Sequence, residues 1–374
     1  MIPSQSDRQP SCDESGVHLM TYQERQGLIR RLEAARESRV LAYVLSDRES
    51  FPPMPGNPIM TGEAQPIFAK LLRGIGRVER LDLLLYTRGG VTESVWPLAN
   101  LLREHCAHLG ILVPFRAHSA GTMLCLAADE IVMCSLGELS PIDATTGNQF
   151  NPRDPANPAQ PLGISVEDVR AFFDLARDVA DVKSEAGLLE VFRMLASAVP
   201  PLALGNVERV YLLIRRLAFS LLELHLDSEQ VDFNSIVEGL TREFNSHLHA
   251  VSRREAQRLM GDWVVAPKDG ISEAIDALFD AYASDLSLFS KYFLAVEMGD
   301  RNPITVRQTT GFLESNSESY RYEIDLGVRQ RPIVPPGPQL PGPAGHITGP
   351  EDWPGRQFDF GIHSMGWRDN EGGH

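Results

Sequence analysis

Residues 81–143 read LDLLLYTRGGVTESVWPLANLLREHCAHLGILVPFRAHSAGTMLCLAADEIVMCSLGELSPID, and this stretch decides the fold. Leu83-Leu84-Leu85 is apolar without alternation, as in a strand covered by helices on both faces. The pattern predicts a strand over 81–87, a helix over 93–105, a strand over 111–117, a helix from Ser119 to Asp129 and a strand over 130–134. Strand and helix alternate throughout, which is the signature of an α/β layer architecture.

Working outward, Thr21-Tyr22-Gln23-Glu24 reads as a capping box opening a helix to about Arg36, followed by an apolar strand over 39–45. A loop with Pro52, Pro53, Pro55 and Pro58 leads to a helix over 64–73. On the far side, Asn148 to Leu162 holds four prolines and reads as a loop. Ser165 caps one long helix to about Leu195, and apolar spacing predicts another over 207–226. Ser252-Arg253-Arg254-Glu255 forms a second capping box before a short strand at Trp263-Val264-Val265. Residues 304–313 and 319–326 read as a hairpin. The expected organisation is a disordered N-terminus over 1–20, one main domain over 21–290 with a helical insertion at about 165–245, the hairpin within 291–330, and a Pro/Gly-rich flexible tail over 331–374.

The 374 residues are 43% hydrophobic and 23% charged, the balance of a folded globular chain. A formal net charge of −15 argues against sequence-independent nucleic-acid binding and against an anionic membrane surface. No apolar run is long enough to span a bilayer; Met123 to Ala128 stops at Asp129. Cys12, Cys106, Cys125 and Cys134 lack metal-type spacing and read as reduced thiols, so the expected compartment is the cytoplasm. No cofactor is implied.

Two motifs end neighbouring predicted strands: Tyr86-Thr87-Arg88-Gly89-Gly90 and Ala117-His118-Ser119-Ala120-Gly121-Thr122. In an open α/β sheet, sites form at such carboxyl ends. A serine hydroxyl at a helix N-terminus lies where the peptide dipoles favour developing negative charge. The backbone N–H groups of Ala120 and Gly90 supply two donors for an oxyanion hole, and glycine admits a substrate carbonyl closely. Ser119 read alone is a helix cap, and Gly89-Gly90 read alone is a turn. Their occurrence on successive strand ends points to acyl transfer.

The segments YTRGG, AHSAGTMLCLAADEIVM and LSPID together resemble the serine dehydrogenase proteinase family. That family is related to the signal peptide peptidase A type and, more remotely, to the Clp proteolytic subunit. The resemblance continues through PLALGNVERV and SHLHAVSRREAQRL, covering roughly residues 39–325. It implies a Clp-protease/crotonase-like fold with repeated ββα units, additional helices and a C-terminal β-hairpin. It also implies a serine peptidase acting on peptides or unfolded protein, Ser119 as nucleophile, Gly90 and Ala120 at the oxyanion hole, and a homo-oligomer.

The general base is less legible. Signal peptide peptidase A relatives use a lysine some tens of residues after the serine. Here no lysine lies between Ser119 and Lys183, whose carboxylate neighbours would raise rather than lower its pKa. Clp-type relatives use Ser–His–Asp. Asp143 stands where their histidine would be, and His247 and His249 stand near the place of their acid. The sequence therefore leaves open a swapped triad of Ser119, His247 and Asp143, the alternative bases His249 and Lys183, or no competent base. His247 and His249 lack the companions of a metal site, and none is expected. Acyl-CoA chemistry on the same fold and a non-catalytic scaffold stand as competing readings.

Overall fold

The computed structural model describes residues 20–51, 53–142, 145–154, 161–244, 246, 248–331 and 357–370. Side-chain alternation sets its centre. Along β1 (Arg39–Leu45), β2 (Val78–Tyr86), β3 (Cys106–Val113) and β4 (Glu130–Met133), successive side chains enter opposite apolar layers. Leu41, Tyr43, Leu83, Leu85, Ile111 and Ile131 face one layer, and Val40, Val44, Leu84, Leu112 and Val132 the other. All of these are sealed from solvent. A strand buried on both sides needs helices over each face.

The described helices of six or more residues are α1 (Tyr22–Arg36), α2 (Gln65–Ile75), α3 (Val95–Glu104), α4 (Ala120–Cys125), α5 (Val166–Asp174), α6 (Glu185–Ala198), α7 (Pro201–Leu222), α8 (Phe233–Glu238), α9 (Arg253–Met260) and α10 (Ile271–Asp285). α2, α3, α4, α7, α8 and α9 pack on the first face through residues such as Phe68, Leu98, Leu124, Ile214, Ile236 and Ala256. α1 and α10 cover the second through Ile29, Leu32, Ile275, Leu278 and Tyr282. Both capping boxes form, Thr21 with Glu24 and Ser252 with Glu255. The chain is a mixed α/β protein, a large sheet covered on both faces by helices.

Four further strands complete the main sheet: β5 (Val264–Val265), β6 (Ile304–Glu314), β7 (Ser319–Gln330) and β8 (Phe358–Asp369). The order is β5-β4-β3-β2-β1-β6-β7-β8. Pairing is parallel from β5 to β1 and antiparallel from β1 to β8.

Three features differ from the sequence reading. The strand expected over 111–117 is two strands. Pro114 interrupts the ladder after β3, and Arg116–Ala117 joins a small second sheet with Glu138–Leu139 and Val251–Ser252. This step carries the chain sideways just before Ser119. The long helix expected from Ser165 is broken: α5 runs into a π-helical turn at Leu175–Val179, and Asp181 takes a positive φ of 53° before α6 begins.

The third correction concerns the tail. Within the expected flexible extension 331–374, Phe358–Asp369 pairs along β7 from Gln330↔Phe358 to Tyr320↔Asp369. Phe358 and Phe360 pack beside Ile324, Leu326 and Val328, and the Trp367 ring meets Tyr43 and Tyr322. Glycines at 361 and 366 dilute the alternation that would have announced this strand. Residues 1–19, most of the expected disordered N-terminus, lie outside the described residues.

No single helix among the described residues is long and apolar enough to cross a membrane. α6 and α7 meet that criterion only as a pair, and they are bent by 106°. α6 buries none of its residues and exposes Leu189, Phe192 and Met194.

Candidate active site

The chain turns from strand to helix at Ser119, with φ 50° and ψ −112°. A non-glycine residue in this region costs about 1–3 kcal/mol and persists only where its surroundings impose it. Here the surroundings are specific. The His118 N–H donates to Thr87 O (3.0 Å), and the Thr87 N–H donates to Arg116 O (2.9 Å), tying the turn to the end of β2. The Gly121 N–H returns to His118 O at 2.8 Å. Gly121 itself is required: a Cβ there would lie 2.6 Å from Thr87 Cγ2. α4 therefore starts tight against the strand end, and all six of its residues are buried.

The glycine pair backs directly onto this turn. A Cβ on Gly89, whose φ is 108°, would lie 2.7 Å from Ser119 Cβ and 3.2 Å from Ser119 Oγ. Gly90 bridges to Met60, whose N–H donates to Gly89 O (2.9 Å) and whose carbonyl accepts the Val91 N–H (2.8 Å). A Cβ on Gly90 would lie 2.2 Å from Met60 O. Sequence reasoning assigned this glycine to the approach of a substrate carbonyl; the immediate reason is the backbone of Met60. The N–H groups of Gly90 and Ala120 donate to no acceptor among the described residues. Ser119 and Gly90 are both partly exposed, so the notch between them opens to solvent.

Ser119 also reaches sideways. Its N–H donates to Ser140 Oγ at 2.7 Å. The Ser140 hydroxyl donates to Pro141 O at 2.9 Å, and the Ser140 N–H donates to Thr122 Oγ1 at 2.9 Å. The Thr122 hydroxyl donates to Ala117 O at 2.7 Å. The SAGT and LSPID motifs are thus physically one unit. Sequence reading quoted both Thr122 and Ser140 and gave neither a task; their spacing alone carries no sign of the contact.

A charged web flanks the turn. Arg116 bridges Asp47 (2.8 Å) and Glu138 (3.0 Å), and the Tyr86 hydroxyl donates to Asp47 at 2.5 Å. Burial and the Asp47 carboxylate push the Tyr86 phenol well above its ordinary pKa, so it stays a donor. His118 lies with Nε2 3.1 Å from Glu138 Oε1.

The expected bases separate as follows. His247 and Asp143 lie outside the described residues. His249 is engaged elsewhere: its Nε2 is 3.2 Å from Glu255 Oε1, and its ring stacks on Phe244 with centroids 4.5 Å apart. No hydrogen bond joins it to Ser119. Lys183 is 77% exposed and ion-paired with Asp181. Each alternative base thus has another partner, and neither is hydrogen-bonded to Ser119. Among the described residues the Ser119 hydroxyl has no hydrogen-bond partner.

Competing chemistry finds little here. Cys106, Cys125 and Cys134 are buried free thiols, with burial pushing Cys106 up to about 11 and Cys134 up to about 12. No cluster of three His, Cys, Asp or Glu among the described residues could hold a metal ion.

Residues 16–154 match the family of ClpP-like SDH-type serine proteinases. That match spans the glycine pair, Ser119 and the LSPID segment, and it agrees with the family the motifs resemble. The chain is also 29% identical over 123 residues to an uncharacterized protein of Methanocaldococcus jannaschii, covering 32% of this chain and 42% of that relative. A second uncharacterized protein of the same organism is 30% identical over 120 residues, covering 32% of this chain and 41% of the relative. The chain thus spans about two-fifths of the length of these curated relatives. No solved structure matches it. The proteinase family match ends before α5, so α5 to α8 lie beyond it.

Proposed function

We propose that the chain is a serine peptidase that cleaves peptide bonds through an acyl-enzyme at Ser119. The observation that carries this reading is the strained serine at a strand-to-helix turn, beside two backbone N–H groups that no acceptor among the described residues uses. A helix N-cap ordinarily takes extended backbone angles, so capping alone gives no reason to hold Ser119 at φ 50° and ψ −112°.

In the proposed reaction Ser119 Oγ attacks the scissile carbonyl carbon and loses its proton to the general base. The C=O π-electrons move onto oxygen, where the Gly90 and Ala120 N–H groups stabilise the oxyanion, at about 2.7–4 kcal/mol per donor. Collapse of the tetrahedral intermediate breaks the C–N bond, and the base returns its proton to the leaving amine. Water, deprotonated by the same base, then attacks the ester and releases the acid and free Ser119. His247 is the proposed base and Asp143 its orienting carboxylate. The engagement of His249 with Glu255 and the exposure of Lys183 favour this pair over the alternatives.

The proposed substrates are peptides or unfolded segments. The proposed assembly is a homo-oligomer, a reading favoured by the exposed apolar residues of α6. A fluorophosphonate probe tests the central claim. It labels the wild-type chain at Ser119, and Ser119→Ala abolishes both labelling and hydrolysis of unfolded casein. An unlabelled Ser119 in a folded protein overturns the reading. Hydrolysis rising through about pH 6–7 supports a histidine base, and loss in His247→Ala with Ser119 still in place names it.

A further inference from the structure

We infer that Ser140 and Thr122 are positioning residues that hold the Ser119 turn in its reactive shape; this rests on the serine-peptidase reading above. The argument starts from strain. A serine at φ 50° and ψ −112° relaxes unless something over-determines it. The backbone bonds of His118 and Gly121 fix the residues on either side. The amide of Ser119 itself is fixed by one contact, the 2.7 Å bond to Ser140 Oγ.

That oxygen is held in turn. Ser140 is 2% exposed and Thr122 is fully buried. The Ser140 hydroxyl proton is committed to Pro141 O, which leaves the oxygen's lone pairs facing the Ser119 N–H. The Ser140 backbone is anchored by its N–H to Thr122 Oγ1, whose own proton is committed to Ala117 O. The chain of bonds runs from Ala117 through Thr122, Ser140 and Ser119, closing a loop around the turn. Each hydroxyl acts as both donor and acceptor, so neither is spare.

The geometric consequence concerns the next residue. With the Ser119 N–H turned toward Ser140, the Ala120 N–H is left for the notch. Loss of the Ser140 acceptor leaves the Ser119 N–H without its partner, and the least costly repair is rotation of the 118–119 peptide that carries it, which also turns His118 O away from the Gly121 N–H and loosens the start of α4. That loosening moves the Ala120 N–H away from a developing oxyanion. The effect falls on the transition state rather than on substrate binding.

The experiment compares Ser140→Ala, Thr122→Val and Thr122→Ser with wild type, using casein-derived peptide hydrolysis, fluorophosphonate labelling rate and thermal unfolding. Ser140→Ala is expected to lower kcat by about 10- to 100-fold with KM within about twofold, and to slow labelling in proportion. Thr122→Val, close in shape but without the hydroxyl, should follow it, and Thr122→Ser should restore activity. If Ser140→Ala does not fold, the Thr122 pair decides alone. Full kcat per folded molecule in Ser140→Ala, or no rescue by Thr122→Ser, overturns the clasp while leaving Ser119 as nucleophile. Absence of Ser119 labelling in wild type overturns both.

Discussion

Two helices of this molecule are opposites. α4 has six residues and buries every one, whereas α6 has fourteen and buries none. α4 is clamped between strand ends, with Gly121 against Thr87 and Ser119 bonded across to Ser140. α6 stands beyond the region matched by the proteinase family, exposing Leu189, Phe192 and Met194. The contrast teaches where rigidity is needed. A helix that must aim one hydroxyl and one amide is short, dry and over-constrained. A helix that leaves Leu189, Phe192 and Met194 exposed, with Phe192 stacked on Phe173, is free to serve contacts outside the chain.

The sharpest way to test that contrast is to release the strain itself. Ser119→Gly is expected to abolish hydrolysis, a loss of roughly 10⁴-fold or more, while stabilising the fold by about 1 kcal/mol. Urea unfolding read beside peptide hydrolysis checks both; lower stability in the glycine variant would show that the turn is not strained. Gly121→Ala acts on packing. Its Cβ would collide with Thr87 Cγ2, so it should cost about 1–3 kcal/mol and much of the activity, seen as a lower unfolding midpoint.

His225 ties the end of α7 to the end of α4. It follows α7, and its Nε2–H donates to Leu126 O, just past α4, at 2.9 Å, with the ring against Trp263. Burial lowers its pKa from its ordinary 6.5 to about 4. The folded state therefore favours neutral imidazole, and the unfolded state binds the extra proton first. Stability from this group is complete above about pH 6.5 and declines as pH falls toward about 4. His225→Gln, which keeps a donor but does not titrate, should flatten this part of the stability–pH curve. The smallest intramolecular effect belongs to α6. Phe192→Glu should change subunit stability by no more than about 0.5 kcal/mol. In light scattering it should lower the assembled mass if α6 makes the proposed contact; unchanged mass with full assembly removes α6 from that role.

Much of this was legible in the chain. Leu83-Leu84-Leu85 announced a doubly covered strand, Thr21 with Glu24 and Ser252 with Glu255 announced helix starts, and Gly89-Gly90 with Ser119 announced the notch. Each of those motifs is local, written within a few residues. The long helix after Ser165 misled because its apolar spacing continues through the break, while the positive φ at Asp181 has no periodic signature. The strand Phe358–Asp369 was hidden by its glycines and by the proline-rich stretch before it.

By itself, then, the sequence determined the α/β layering, the strand ends that meet, and the serine at their junction. Tertiary structure alone decided that Met60 is the reason Gly90 must be glycine and that Ser140 holds the Ser119 amide. It likewise decided that His249 belongs to Glu255. Side-chain periodicity reports which face of an element is buried. It carries no record of which distant backbone arrives within hydrogen-bond reach, because that depends on the order in which strands are laid side by side.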